Sequence, residues 1–424
     1  MKVEEGSYLR PLSDASGDME PLALAIESQR APIQFAKGET GASRPLLVCF
    51  SHLRWGFVWQ RPQHLLCRAA GHFDVLFIEE PVFEAEADDQ LRIEPVEAGV
   101  TLLVPVIRPG DPVTVTATLS RLIRTHLERL VHRERLFWYY TPAAVAFSDD
   151  LPRSLTVYDN MDELSAFRGA SPDLIAQERS LLNRADLVFT GGRSLYDAKR
   201  DCHRDIHCFP SSVDAQHFRQ ARSGTLPDPA DQAGLPRPRL GFFGVIDERF
   251  DQDFLAEAAD LRPDWQWVMI GPVVKIDPAT LPQRENIHWL GPKSYKELPA
   301  YLGHWDLGVM PFARNESTRF ISPTKTPEFL AAGLPVISTP IVDVVRDYGE
   351  TGLAEIADKP MAAVLAAEAL LARPRQPWLE RVDRQLAANS WDQTWDAMRN
   401  LMLDRLSGPV TDRERVSGTA ALDA

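Results

Sequence analysis

Basic charge is in short supply. Lys and Arg number 46 against 60 Asp and Glu, a formal net charge of -14 over 424 residues. Nucleic-acid phosphates need a broad basic stripe, so no nucleic-acid partner is expected, a local basic cluster aside. Cysteine is scarce too. Cys49, Cys67, Cys202 and Cys208 form no CxxC pair, which suits a reducing, cytoplasmic compartment. No stretch approaches the roughly 18 apolar residues of a spanning helix, so membrane contact is expected to be peripheral. The start, MKVEEGSYLR, has no apolar core of a secretory signal. Neither half carries GxGxxG after its first strand, which disfavours a dinucleotide-binding oxidoreductase.

What is present is ordinary globular material, 44% hydrophobic and 25% charged, enough for two substantial cores. Short apolar runs alternate with helical patterns, the mark of βαβ units and parallel sheets. Strands are expected at 45–51, 75–79, 101–105, 136–140, 155–158, 187–190 and 206–209. In the second half they are expected at 240–244, 265–270, 287–289, 307–310, 334–338 and near Ala354. The Pro-, Gly- and Asp-rich segment 214–238 is the expected linker. The organisation is then a disordered leader 1–44, an N-terminal domain 45–213, a C-terminal domain 239–388, a closing helix 389–406 and a disordered tail 407–424.

Ligands of open α/β sheets bind beyond the carboxyl ends of the strands, so strand-end loops are where chemistry is sought. The first is FSHLRWGFVWQRPQH, Phe50 to His64. It concentrates polar and aromatic side chains, and Pro62 suits a first helical turn. Its Trp55, Phe57 and Trp59 also fit a purely packing role. His52 is its best catalytic candidate. A second, Tyr158 to Glu163, sets Asp159, Asp162 and Glu163 at the end of a strand, where a general base must be held near an acceptor hydroxyl. The same carboxylates would also suit the first turn of a helix. A third follows the first strand of the second half, where Gly244 allows close backbone approach to a diphosphate and Arg249 could neutralise it. A fourth is SPTKTPEFLAAG. Ser322 and Thr324 are placed to cap a helix, Lys325 stands at its mouth to meet phosphate, and Glu328 lies one turn in, able to accept from a ribose.

Two further segments attract attention. Cys202 to Cys208 resembles a metal cluster, but 206–209 reads as a strand, so His207 and Cys208 point to opposite faces and no metal site is assigned. Arg121 to Arg135 reads as a helix with an apolar face at positions 119, 122, 123, 127, 130 and 131. Its basic opposite face is either a solvated surface or a place to dock on anionic lipid.

Taken together, FSHLRWGFVWQRPQHLL, VYDNMDELSAF, ADLVFTGGRSL, GPKSYKELPAYL and SPTKTPEFLAAGLPVIST resemble bacterial GT-B glycosyltransferases. The resemblance is to the branch around families 1 and 4 that acts in capsule, teichuronic acid and exopolysaccharide synthesis, and it runs from about Pro45 to Leu406. It implies an α/β fold of two Rossmann-like domains with parallel sheets facing a central cleft. It implies transfer of a hexosyl or uronosyl group from a UDP- or GDP-linked sugar to a polysaccharide or lipid-linked acceptor, with no cofactor and no metal. The donor would be held by Gly244, Arg249, Ser322, Thr324, Lys325 and Glu328, the last on the ribose. Arg61 and Gln63 would bind the acceptor. Retaining family 4 enzymes usually carry a second glutamate eight positions before the ribose-binding one, and here that position is Phe320. An inverting relative uses an N-domain aspartate as base, which matches Asp162 first and Asp159 second. A GT-B-type nucleotide-sugar epimerase, a phosphorylase and a non-catalytic sugar-binding subunit remain alternatives.

Overall fold

The computed structural model describes residues 44–96, 99–132 and 134–407. The expected leader up to residue 43 and the tail from residue 408 lie outside the described residues. The chain divides into two compact units. The first comprises the chain up to Trp55, Leu66–Tyr158 and Gly169–Ala185; the second comprises Gly56–Leu65, Asp159–Arg168 and the chain from Asp186 onward.

In the first unit, strand Leu46–Phe50 (LLVCF) is buried at every position. An unbroken apolar run of this kind suits a parallel strand covered on both faces. It pairs in parallel with Asp74–Ile78 on one side and Arg135–Tyr139 on the other. Val100–Ile107 extends the sheet beyond Asp74–Ile78, and Leu155–Asn160 extends it beyond Arg135–Tyr139. Strand Gln90–Pro95 adds an antiparallel edge on Val100–Ile107. No strand is expected here from the sequence, although Leu91 and Ile93 alternate with Gln90, Arg92 and Glu94; its side chains are mostly exposed.

Helix Pro112–Glu128 starts at Asp111, whose carboxylate accepts from the Val113 and Thr114 amides at 3.0 and 3.1 Å. It buries Val115, Leu119, Ile123 and Leu127, one residue per turn. The expected apolar face is corrected here. The helix stops at Glu128, and Val131, assigned to that face, is 90% exposed. On the expected basic face, Arg124 is already paired with Asp150.

The second unit holds a six-stranded sheet in which every pairing is parallel. The strand order is Ile287–Trp289, Gln266–Ile270, Arg239–Phe243, Leu307–Met310, Val336–Ser338, Ala354–Ile356. By chain position that is 3-2-1-4-5-6, the doubly wound order of dinucleotide-type sheets. Gly241 has no room for a Cβ, which would overlap the buried Trp305 ring. Trp305 is anchored in turn by its indole N–H, which donates to Gln232 at 2.9 Å.

That anchor belongs to the segment expected as a linker. Residues 214–238 are ordered and packed within the second unit. Phe218 and Ala221 join its core. Arg222 donates to the Leu330 and Ala331 carbonyls at 3.0 and 2.7 Å, satisfying the open end of helix Lys325–Ala332. Arg239 pairs with Asp228 at 2.8 Å. Composition marked the segment as irregular, and irregular backbone held this way acts as a strap.

Candidate functional site

A 3-2-1-4-5-6 sheet opens a crevice between its first and fourth strands, beyond their carboxyl ends. Here those strands are Arg239–Phe243 and Leu307–Met310. Gly244 follows the first, with φ of 146°. Beside it, Gly271 (φ 148°) lies so close that a Cβ would overlap the Gly244 carbonyl. Only glycine satisfies both demands. The two strand-end loops then pair: the Ile246 amide donates to Pro272 and the Val274 amide to Ile246, each at 3.0 Å. Arg249 is fixed on this framework. Its Nε lies 2.9 and 3.1 Å from the Asp247 carboxylate oxygens and its Nη2 at 2.7 Å. Burial opposes the Arg249 charge, yet the bonded Asp247 and the nearby Asp162 hold its pKa above the ordinary value.

Across the crevice, helix Lys325–Ala332 is buried from Thr326 onward. Lys325 Nζ donates to Thr324 Oγ1 at 2.9 Å, stands 3.3 Å from Glu328 Oε2, and lies 5.1 Å from the Phe243 ring centroid. Burial pushes the Glu328 carboxyl upward and Lys325 opposes this. The capping expectation is corrected. Thr324 occupies the N-cap position with helical backbone angles and makes no side-chain capping bond, so its hydroxyl serves Lys325 instead. Ser322 offers its carbonyl to the Ser211 hydroxyl at 2.8 Å.

The third wall comes from 58–61 and 159–162. Asp159 is fully buried and Arg61 is 2% exposed. Arg61 Nε reaches both Asp159 oxygens at 3.1 and 2.9 Å, Nη2 reaches one at 2.8 Å, and Nη1 donates to the Phe209 carbonyl at 2.8 Å. The polar atoms expected to reach an acceptor are thus turned into the protein. Gln63 is likewise buried, and its side chain accepts from the Gln60 amide at 3.1 Å. That reach back to the amide before the helix satisfies one of its open donors.

Asp162 differs from Asp159. It lines the cavity, so part of its surface stays accessible, yet the surrounding protein pushes its pKa from 3.8 up to about 6. Burial is the main cause. Arg249, Arg61 and Lys275 pull the other way, and Asp247 adds to the rise.

Arg61, Asp162, Gly244, Arg249, Ser322, Thr324 and Lys325 therefore share one cavity of about 150 Å³, lined wholly by the second unit. Glu328 contacts it through Lys325, and Asp159 through Arg61. His52 belongs to the first unit, where it lies half-buried just past strand Leu46–Phe50. A shallow groove of about 540 Å³ runs along helix Pro112–Glu128 in the first unit. Its carboxylates, Asp149 and Asp150, are tied to Arg184 and Arg124, so no convergent polar group is offered there. Among the described residues no three His, Cys, Asp or Glu side chains gather as a metal set.

Sequence reasoning missed several neighbours. Asp247 was visible two positions before Arg249. Lys275 and Phe167 gave no signal. Lys275 is the only non-glycine among the described residues with positive φ, 62°. Its Nζ and the Arg249 guanidinium lie 5.0 and 5.3 Å from the Phe167 ring centroid.

Residues 237–373 match the family described as "Glycosyl transferases group 1". The Bacillus subtilis protein named "Putative teichuronic acid biosynthesis glycosyltransferase TuaH" is 26% identical over 284 residues, 62% of this chain and 69% of that one. The sucrose-phosphate synthase of Thermosynechococcus elongatus superposes with a TM-score of 0.65 at 14% identity, covering 85% of this chain and 98% of that one. Anabaena Alr3699/HepE, solved with UDP and glucose, gives 0.57 at 14% identity over 85% of this chain and 99% of that one. These structural likenesses show the fold, two Rossmann-like domains built on parallel sheets. Gly244, Arg249 and Lys325 fall inside the matched stretch; Arg61 and Asp162 fall outside it.

The raised pKa of Asp162 has a consequence for stability. Its folded value of about 6 exceeds the ordinary 3.8, so the folded chain binds this proton more tightly than the unfolded one. Its stabilising contribution is complete below about pH 4 and is lost as pH rises through 6. In urea denaturation, wild type should lose on the order of 3 kcal/mol relative to Asp162→Asn between about pH 4 and 7. A difference that stays constant over that range would contradict the shift.

Proposed function

We propose that this chain, a glycosyltransferase of the group 1 type with two Rossmann-like domains, moves a hexosyl or uronosyl group from a UDP- or GDP-linked sugar to a polysaccharide or lipid-linked acceptor of cell-envelope or exopolysaccharide biosynthesis. The observation that carries this reading is a single cavity lined by Lys325 at the mouth of a buried helix and by Asp162, whose carboxyl pKa is pushed up by burial to about 6. A nucleoside diphosphate supplies the negative charge that Lys325 and Arg249 would meet. Glu328, behind Lys325, would accept from a ribose hydroxyl.

Above pH 6 Asp162 is ionised and can act as general base. It takes the proton of the acceptor hydroxyl as that oxygen bonds to the anomeric carbon. The bond from the anomeric carbon to the phosphate oxygen breaks, and its electron pair leaves with the nucleoside diphosphate. Lys325, Arg249 and the amides at the start of helix Lys325–Ala332 stabilise the charge where it develops. Asp159, neutralised by Arg61, serves to brace the loop that carries Asp162. Phe320, at the position where a retaining relative has glutamate, accords with an inverting displacement. The relative from Bacillus subtilis supports an envelope polysaccharide as the destination. Among the described residues no helix is long and apolar enough to cross a membrane. A cytoplasmic place, with peripheral contact to the inner membrane face through the exposed Arg121 and Arg129, fits that reading.

Two measurements test it. Lys325→Ala should weaken UDP or GDP binding by roughly 1.5–3 kcal/mol in calorimetry, the range for a charge-assisted hydrogen bond; unchanged affinity in a folded variant removes Lys325 from the donor site. Asp162→Asn should keep nucleotide affinity and lose about 10²–10⁴ in turnover, with Asp159→Asn costing less, and NMR of the product should show inverted anomeric configuration. Near-normal turnover in Asp162→Asn eliminates it as the base, and a retained configuration eliminates the inverting displacement.

A further inference from the structure

We propose that Trp59 is the platform on which the acceptor's terminal pyranose ring stacks. The inference deepens the transfer reaction proposed above and rests on it.

Trp59 is 38% exposed and lines the same cavity as Asp162 and Lys325. A large apolar ring at the mouth of a charged cavity is held there by an aromatic framework. Its plane lies 30° from that of Tyr295, with centroids 5.8 Å apart. Tyr295 is itself stacked on His217 at 4.2 Å and 12°, and His217 Nε2 bonds the Tyr295 carbonyl at 2.9 Å. The Trp59 indole N–H donates to His64 Nδ1 at 3.4 Å. His64 meets Trp59 edge to face at 5.8 Å and 89°, and stacks on Trp391 at 4.8 Å and 9°. The indole therefore has its polar atom satisfied and its plane fixed before any ligand arrives, which lowers the ordering cost of binding.

The ligand that suits this surface has one apolar flat face and a polar edge. The axial C–H bonds of a pyranose form such a face, slightly positive, and the indole face is negative. Its hydroxyls then point into a cavity whose walls include Gln60 and Asp162. At about 150 Å³ the cavity is comparable to one hexose ring. A nucleobase would also stack on an indole, but Trp59 shares this cavity wall with Asp162, the proposed base. The acceptor ring is the occupant that places a hydroxyl beside the base.

The test uses the full chain labelled with 5-fluorotryptophan, in which the Trp59 fluorine resonance is assigned by its loss in Trp59→Phe. The protein is titrated with UDP and with GDP, then with the methyl glycosides of glucose, galactose, N-acetylglucosamine and glucuronic acid, each with and without nucleotide. The Trp59 resonance should shift saturably with at least one glycoside and stay in place with nucleotide alone. Trp59→Ala should weaken that glycoside at least tenfold and leave nucleotide affinity unchanged. A shift caused by nucleotide alone assigns Trp59 to the base and overturns the proposal; so does a resonance that no glycoside moves. Because glycosides are also tested without nucleotide, failure of nucleotide to bind counts against the donor site alone.

Discussion

One buried guanidinium organises the site. Arg61, at the start of helix Arg61–Ala69, is closed on both oxygens of Asp159 and on the Phe209 carbonyl. It joins three segments far apart in sequence, and each ends where the cavity begins. Charges buried to this degree persist only when paired and hydrogen-bonded, and removing one partner of such a pair costs about 3–5 kcal/mol. The pair therefore fixes where the chain leaves strand Leu155–Asn160, and so where Asp162 emerges, three residues beyond Asp159.

The same pairing separates the chemistry of the two aspartates. Asp159 has both carboxylate oxygens engaged by the Arg61 guanidinium. Asp162 lies among charges of both signs without a bonded cation of this kind, and burial dominates its proton affinity. Two carboxyl groups so close in sequence are given different roles by their surroundings. The cations follow a similar logic. Arg249 is held by Asp247 and Lys325 by Glu328, so each is positioned before a ligand arrives. Each also faces the cavity, where the proposed diphosphate would add more negative charge than a single carboxylate supplies.

The sequence made the sheets readable because their strands are buried on both faces. LLVCF, RLGFF and QWVMI are nearly unbroken apolar runs, and such runs have few other uses in an α/β chain. Strand Gln90–Pro95 escaped notice because its alternation is short, and its apolar positions Leu91 and Ile93 are not buried. Segment 214–238 looked slack because proline, glycine and aspartate break periodicity; its order comes from Phe218, Arg222 and Gln232 reaching distant partners. Helix Pro112–Glu128 was placed too far along the chain, since Leu130 and Val131 continue its spacing after the helix has ended. In the site, residue type singled out Lys325, Glu328 and Asp162, and the structure sets Lys325 and Asp162 in one cavity with Glu328 behind Lys325. It could not reveal that Arg61 and Gln63 turn inward, because that depends on Asp159 and the Gln60 amide standing in reach. Trp59 looked like packing for a related reason, as only the fold shows it at a cavity wall.

The central claim is that burial raises the proton affinity of Asp162 in the cavity wall. Carbon-13 NMR titration of aspartate side-chain carboxyls, with Asp162 and Asp159 assigned by their Asn variants, tests it directly. Asp162 should titrate near pH 6 and shift further upward when a nucleoside diphosphate adds negative charge to the cavity. A carboxyl that titrates near 4, indifferent to nucleotide, would contradict the account.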